Sequence, residues 1–241
     1  MKIELAYTYQ EINPAELKEK TCVVIDTLRA TSTIITALHH GCSEIVTAES
    51  ISKALALHLK KEDYIFGGEL CGKNLTGFDK GNSPLEYTKG IHKQKVILFT
   101  TNGTKTLARV KEAKEVIICA LLNVEAVAKW LATSTNRSVL ICCAGTRGKW
   151  SLEDFYTAGA LVSKLLILKK NLLLSKKASK ARYFYCLAKN IYNGQIKNLF
   201  SASANGKRLA SLGMSDDINF CSRESVYEIL PVYRNGVIKQ L

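Results

Sequence analysis

Three times in this chain an apolar run gives way to hydroxyls, glycine and a basic residue, and then to a helical pattern. That recurrence constrains the fold more than any other feature. The runs are Cys22–Ile25, Val96–Phe99 and Val139–Cys143. Each reads as a strand buried on both faces, the kind found in parallel sheets covered by helices. The first run is followed by Asp26-Thr27-Leu28-Arg29-Ala30-Thr31-Ser32-Thr33, the second by Thr100-Thr101-Asn102-Gly103-Thr104, the third by Ala144-Gly145-Thr146-Arg147-Gly148. In an α/β sheet such turns lie at the carboxyl ends of strands, where the first N–H groups of the next helix face any bound anion. Three of them on one sheet edge converge on a pocket.

The remaining pattern fills in around these units. Residues 2–8 alternate and suit an edge strand, closed by Asn13-Pro14. Helices are expected over 31–40, over 51–61 with Ser50 as cap and Ile51, Ala54, Leu55 and Leu59 on one face, over 105–112 and over 123–133. Strands are expected at 44–48, 64–69 and 116–120. After Glu69 some twenty residues are rich in turn formers, and a long insertion of this kind usually covers a site; Ser83-Pro84 opens a short helix within it. Further on, helical pattern covers 155–170, 181–192 and 201–212, ending at Gly213. Residues 227–233 read as a strand before the Asn235-Gly236 turn, with Pro231 favouring an edge. The length suits one domain over 1–241, or two lobes divided near 150.

Charge narrows the function classes. The net charge is +13, and residues 155–215 contain eleven Lys or Arg with no Asp or Glu. Basic stripes bind nucleic acid or anionic membranes. No helix-turn-helix, zinc-finger or aromatic stacking signature accompanies this one, so a solvated lysine-rich face is the expectation and no nucleic-acid partner is assigned. No apolar run reaches the roughly 18 residues of a membrane span. The N-terminus lacks the apolar core of a signal peptide. The eight cysteines form no C-x-x-C pair and no zinc spacing with the four histidines, so a reduced, cytoplasmic protein is expected.

Nucleotide-binding glycine patterns, the G-x-S-x-G elbow and H-E-x-x-H are absent. Leu28 stands where a haloacid-dehalogenase phosphatase would need a second aspartate. What is left is oxygen chemistry. Asp26, Glu69, Asp79, Glu153 and Asp154 are acids at strand ends, in the covering loop or at a helix start; Arg29, Lys105 and Arg147 are cations in the same places. Together they suit a magnesium ion bridging carboxylate and phosphate oxygens, although each acid taken singly also suits a helix cap or a surface position.

VVIDTLRATST, GFDKGNSPLEY, LFTTNGTKTL, AGTRGKWSLED and YEILPVYRNGVI, in that order along nearly the whole chain, resemble the 2-phosphosulfolactate phosphatases, the ComB family of coenzyme M biosynthesis. The resemblance implies a three-layer α/β/α fold with a mostly parallel, mixed central sheet. It also implies Mg²⁺-dependent hydrolysis of a phosphate monoester on a small anionic 2-hydroxy acid. Carried onto this chain, it assigns catalysis to Asp26, Arg29 and Asp79. Substrate and phosphate binding fall to Arg29, Thr31, Ser32, Asn82, Ser83, Asn102, Gly103, Thr104, Gly145 and Thr146, and metal binding to Asp26, Glu69, Glu153 and Asp154. One departure is Leu70, where the family pattern has arginine after the acid; a lost charged hydrogen bond would weaken substrate hold by about 1–3 kcal/mol. The alternative reading is therefore a ComB-like anion-binding protein without turnover or with a shifted substrate. An apolar face over 159–174 packs either within the chain or in a homodimer.

Overall fold

The apolar runs do form the middle of a sheet. The structure, a computed structural model, describes residues 1–241. Its elements are β1 (Lys2–Ala6), β2 (Thr21–Ile25), α1 (Ala30–His39), β3 (Glu44–Ala48), α2 (Ile51–His58), β4 (Ile65–Leu70) and β5 (Lys73–Asn74). They continue with β6 (Lys95–Phe99), α3 (Gly103–Val110), β7 (Glu115–Cys119), α4 (Val124–Thr133), β8 (Ser138–Cys143) and α5 (Leu152–Leu168). The last third adds β9 (Leu173–Leu174), α6 (Lys176–Ile191), α7 (Ile196–Ala202), α8 (Ala204–Ser211), α9 (Ser215–Cys221), β10 (Pro231–Arg234) and β11 (Val237–Gln240).

All eleven strands join one sheet in the order β5-β4-β6-β3-β11-β10-β7-β2-β8-β1-β9. The pairs β4–β6, β3–β6, β2–β7, β2–β8, β1–β8 and β1–β9 are parallel. The β10–β11 hairpin is antiparallel to both its neighbours. With helices on both faces, this is the three-layer α/β/α arrangement, mostly parallel and mixed. No helix is long and apolar enough to cross a membrane.

Alternation along the strands decides which helices cover which face. Cys22 and Val24 of β2 join Val96 and Leu98 of β6, Ile45 of β3 and Val116 of β7 in one core with Ile34 and Ile35 of α1 and Leu107 of α3. Val23 and Ile25 face the opposite way, into a core with α4 to α9. Ile97 and Phe99 also face away from α1, onto the smaller core over α2. Strands from both ends of the order thus share one inner core, so the sheet curls around α1 and α3. The hairpin pairs with Ile45 and Val46 of β3 and with Val116 and Ile117 of β7, and Thr47 N–H of β3 also donates to the Gly236 carbonyl in its turn at 3.2 Å. α3 reaches α1 directly: a Cβ built on Gly103 would lie 2.6 Å from Ala30 Cβ and 3.0 Å from Asp26 Oδ2.

Several expected boundaries move. β1 is not an edge strand, because the two-residue β9 pairs with its outer side at Lys2 and Ile3. α2 stops at His58, and of its expected apolar face Ala54 is buried while Leu55 and Leu59 are exposed. The helix expected over 201–212 is two: Ser203 interrupts it and caps α8, its Oγ accepting from Gly206 N–H at 2.9 Å. β10 is interior rather than an edge. Pro231 is tolerated because it is the first residue, and the β7 pairing begins only at Val232. Leu161, Val162 and Leu165 pack within the chain, while Ile167 and Leu168 at the end of α5 stay exposed. All eight cysteines are free thiols, and burial raises the pKa of Cys119, Cys142 and Cys143.

Candidate active site

The curled sheet brings the carboxyl ends of β2, β4 and β6 to one recess of about 10 Å³, with Asp26, Arg29, Glu69, Asn82, Asn102 and Arg208 in its wall. That is room for one water or a small ion. Asp26 ends β2. The hydroxyls behind it build the turn: Thr31 Oγ1 accepts from Asp26 N–H at 3.1 Å, and Ser32 Oγ donates to the Thr27 carbonyl at 2.8 Å. With Thr31 and Ser32 tied to the backbone, the Asp26 carboxylate is the group left facing the recess.

Glu69 ties β4 to β6. Its Oε1 accepts from Thr101 N–H at 2.7 Å and its Oε2 from Gly72 N–H. Asn82, from the covering loop, is locked by its carbonyl, which accepts from Thr33 Oγ1 at 2.8 Å. Its side-chain Oδ1 is buried and has no hydrogen-bond partner. Asn102 and Gly103 start α3 at the same place, and Thr104 is spent on its own turn, its Oγ1 donating to the Thr100 carbonyl at 2.7 Å. Burial and the nearby Glu69 and Glu153 charges push the Asp26 carboxyl up to about 7, with the Ala30 N–H and Arg208 acting in the other direction.

The other expected residues stand behind or beside this recess. Asp154 clamps two strand ends, its Oδ1 accepting from Thr27 N–H at 2.8 Å and its Oδ2 from Gly145 N–H at 3.2 Å. Burial and the Asp26 and Glu153 charges raise its pKa. Glu153 Oε1 accepts from Asn205 Nδ2 at 2.7 Å. Thr146 and Glu153 border a separate groove beside Trp150. Ser83 Oγ donates to Asp217 Oδ1 at 2.5 Å. Asp79 is exposed and accepts from Phe66 N–H at 2.7 Å, which holds the loop onto β4; it is not part of the recess wall.

The model of the 2-phosphosulpholactate phosphatase family matches residues 6–236. The chain belongs to the 2-phosphosulfolactate phosphatase family. Its class is that of the phosphatases, the phosphoric monoester hydrolases. A Caldanaerobacter subterraneus subsp. tengcongensis protein named a probable 2-phosphosulfolactate phosphatase is 41% identical over 245 residues, spanning 99% of this chain and 98% of that one. Proteins of the same name are 37% identical over 241 residues in Clostridium acetobutylicum, spanning 99% and 100%, and 40% over 219 residues in Thermotoga maritima, spanning 90% and 91%.

For this member of the phosphatase family, three polar side chains of the site come from the C-terminal helices. Asp217 of α9 receives Arg29 Nη1 at 2.6 Å, both side chains buried. Arg208 and Asn205 of α8 lie side by side, Arg208 Nη2 donating to Asn205 Oδ1 at 3.0 Å. The one signal in sequence is their i, i+3 spacing, which places them on one helix face. Leu70 does not subtract a cation from the recess. Strand alternation turns it away from Glu69, and it is 41% exposed.

Proposed function

We propose that this protein hydrolyses the phosphate monoester of 2-phosphosulfolactate, giving sulfolactate and inorganic phosphate, with Mg²⁺ as cofactor. The observation that carries the reading is the grouping of the Asp26 and Glu69 carboxylates with the unpartnered Asn82 Oδ1 in one buried recess. These are hard oxygen donors. No three acid, histidine or cysteine side chains cluster as a ready-made metal cage. That suits magnesium, which is commonly held by one or two carboxylates and completes its shell with waters and phosphate oxygens. Asp26, Glu69 and Asn82 would hold it, and when bound it neutralises charge on the phosphoryl oxygens.

The chain's own residues account for the rest. Asp26 orients the attacking water, whose oxygen bonds to phosphorus as the ester P–O bond breaks. The water's proton passes by way of Asp26 to the departing 2-alkoxide, which leaves as the hydroxy acid. The start of α3 at Asn102 and Gly103 faces the phosphoryl group with backbone N–H donors. Arg29 positions the β2–α1 turn through Asp217 and the Gly72 carbonyl. Eight free thiols support a reduced, cytoplasmic setting.

The test is a panel of phosphorylated 2-hydroxy acids assayed for phosphate release, with Mg²⁺ and with EDTA. Turnover of the sulfonated acid that EDTA abolishes and Mg²⁺ restores is expected. Full activity in EDTA would sink the magnesium assignment, and no release from any acid in the panel would sink the phosphatase.

A further inference from the structure

Two guanidiniums line the recess, and their circumstances are opposite. Arg29 is neutralised: Nη1 meets Asp217 Oδ2 at 2.6 Å and Nη2 donates to the Gly72 carbonyl at 3.2 Å. Arg208 makes one hydrogen bond, from Nη2 to Asn205 Oδ1, and no ion pair. Its Nε is buried without an acceptor. Unsatisfied buried donors are rare in folded proteins, and one on a charged side chain in a site wall calls for a ligand.

Its orientation is also fixed in advance. Asn205 Nδ2 donates to Thr146 Oγ1 and to Glu153 Oε1, each at 2.7 Å, so the amide that holds Arg208 is itself held. On the other side Gly72 packs close, since a Cβ there would come within 3.4 Å of Arg208 Nε. What this leaves is Nε–H and the free Nη protons, a planar set of donors matched to the oxygens of a carboxylate or sulfonate. The same recess wall offers acceptors: Asp26, Glu69 and Asn82 Oδ1. The recess itself has room only for an ion, so a substrate seated over it is sorted: its phosphoryl group goes to the side where Asp26, Glu69 and Asn82 would hold Mg²⁺, and its other oxyanion goes to Arg208.

We propose that Arg208 is the specificity-determining residue of the site, holding the oxyanion of the substrate that is not hydrolysed. This rests on the phosphatase reading given above and names the group of the substrate recognised.

The experiment compares R208Q and R208K with wild type on 2-phosphosulfolactate, on 2-phospholactate and on 4-nitrophenyl phosphate, which has no second oxyanion. For R208Q, KM for phosphosulfolactate is expected to rise about 30- to 100-fold with kcat changed by less than about 3-fold, as for loss of a charge-assisted bidentate contact made throughout the reaction. R208K, which keeps a cation near Asp26, recovers part of the loss, and both variants lose much less on the aryl phosphate than on phosphosulfolactate. An equal rise for phospholactate assigns Arg208 to the carboxylate; a rise confined to the sulfonated acid assigns it to the sulfonate. An equal fold-loss in kcat/KM on the aryl phosphate and on the sulfonated acid, or no change in KM, overturns the proposal. Calorimetric titration with sulfolactate, the dephosphorylated product, separates this from the reaction. Binding by wild type that R208Q loses supports the receptor even if no ester is turned over, which would fail the phosphatase reading alone. Equal binding by both proteins, or binding by neither, overturns the receptor.

Discussion

The two flanks of the recess use the same functional group to opposite ends. On the α9 side, Arg29 and Asp217 are both buried and matched charge for charge, with Ser83 on the remaining oxygen of Asp217. On the α8 side, Arg208 meets a neutral amide and keeps donors to spare. A buried matched pair is a structural element that costs desolvation whichever ligand is present. A half-buried guanidinium with no counter-charge and a buried, unpartnered Nε is left to meet an anion. Arginine at a site is thus informative only when its partners are counted. The arginine written into the VVIDTLRATST stretch is the one already spent.

Between the flanks sits Asp26, and removing it tests whether either flank has a role without it. Asp26→Asn should lower turnover about 10³-fold with the circular dichroism spectrum unchanged, the scale of lost acid–base catalysis; steady-state phosphate release measures this, and near-wild-type activity would return Asp26 to the capping role.

The flanks themselves separate in stability. Arg29→Ala strands Asp217 and should cost about 3–5 kcal/mol in denaturant unfolding, whereas Arg29→Met with Asp217→Leu should recover most of it. R208Q has no pair to break and should leave the unfolding midpoint close to wild type. An equal loss in both single variants would erase the distinction drawn here.

Between them in size is an effect of pH on the metal-free protein. Asp26 is held near 7 in the folded chain, against 3.8 for an ordinary aspartate. The folded state therefore takes up a proton that the unfolded state does not, and Asp26's contribution to stability is complete below about 4 and lost as pH rises through about 7. In EDTA the melting temperature should decline across that window, and Asp26→Asn should flatten the decline. A Gly103→Ala change forces a methyl against Ala30 and Asp26 and should cost about 1–3 kcal/mol with reduced activity. Leu70→Arg should be the least consequential, changing kcat/KM by less than about 3-fold, since Leu70 faces away from the recess.

What could be read in the chain beforehand follows from the range of the interactions involved. β2, β6 and β8 were legible because strands buried on both faces are apolar throughout, and Asp26 and Glu69 because acids at the ends of such runs have few other reasons to be there. The hydroxyls of Thr31 and Ser32 were legible as polar but not as spent, since their acceptors are backbone atoms fixed only by the turn itself. Asp79 was misleading in placement for the same reason: its loop folds it back onto Phe66 N–H rather than inward. Asn205 and Arg208 were hidden in a lysine-rich helical stretch whose local pattern reads as solvated surface, and Asp217 follows just after it in a short helix. Only the packing of α8 and α9 over the sheet edge gives them a site to face. Pro231 misled because its proline is harmless at the one position of β10 that β7 does not pair.

The β10–β11 hairpin, turned by Asn235 and Gly236 with both φ angles positive, gives this molecule an order of assembly. It is the only strand link between the half of the sheet that carries Glu69, Asn82 and Asn102 and the half that carries Asp26. It also follows every residue of the recess wall in sequence. A nascent chain that stops at residue 226 already holds every side chain of the recess but lacks the clasp that sets the two halves in register. Such late, long-range pairing is slow to form and leaves strand edges of β3 and β7 open in the meantime. The register of the recess is thus set by residues that come after it in sequence and stand outside its wall.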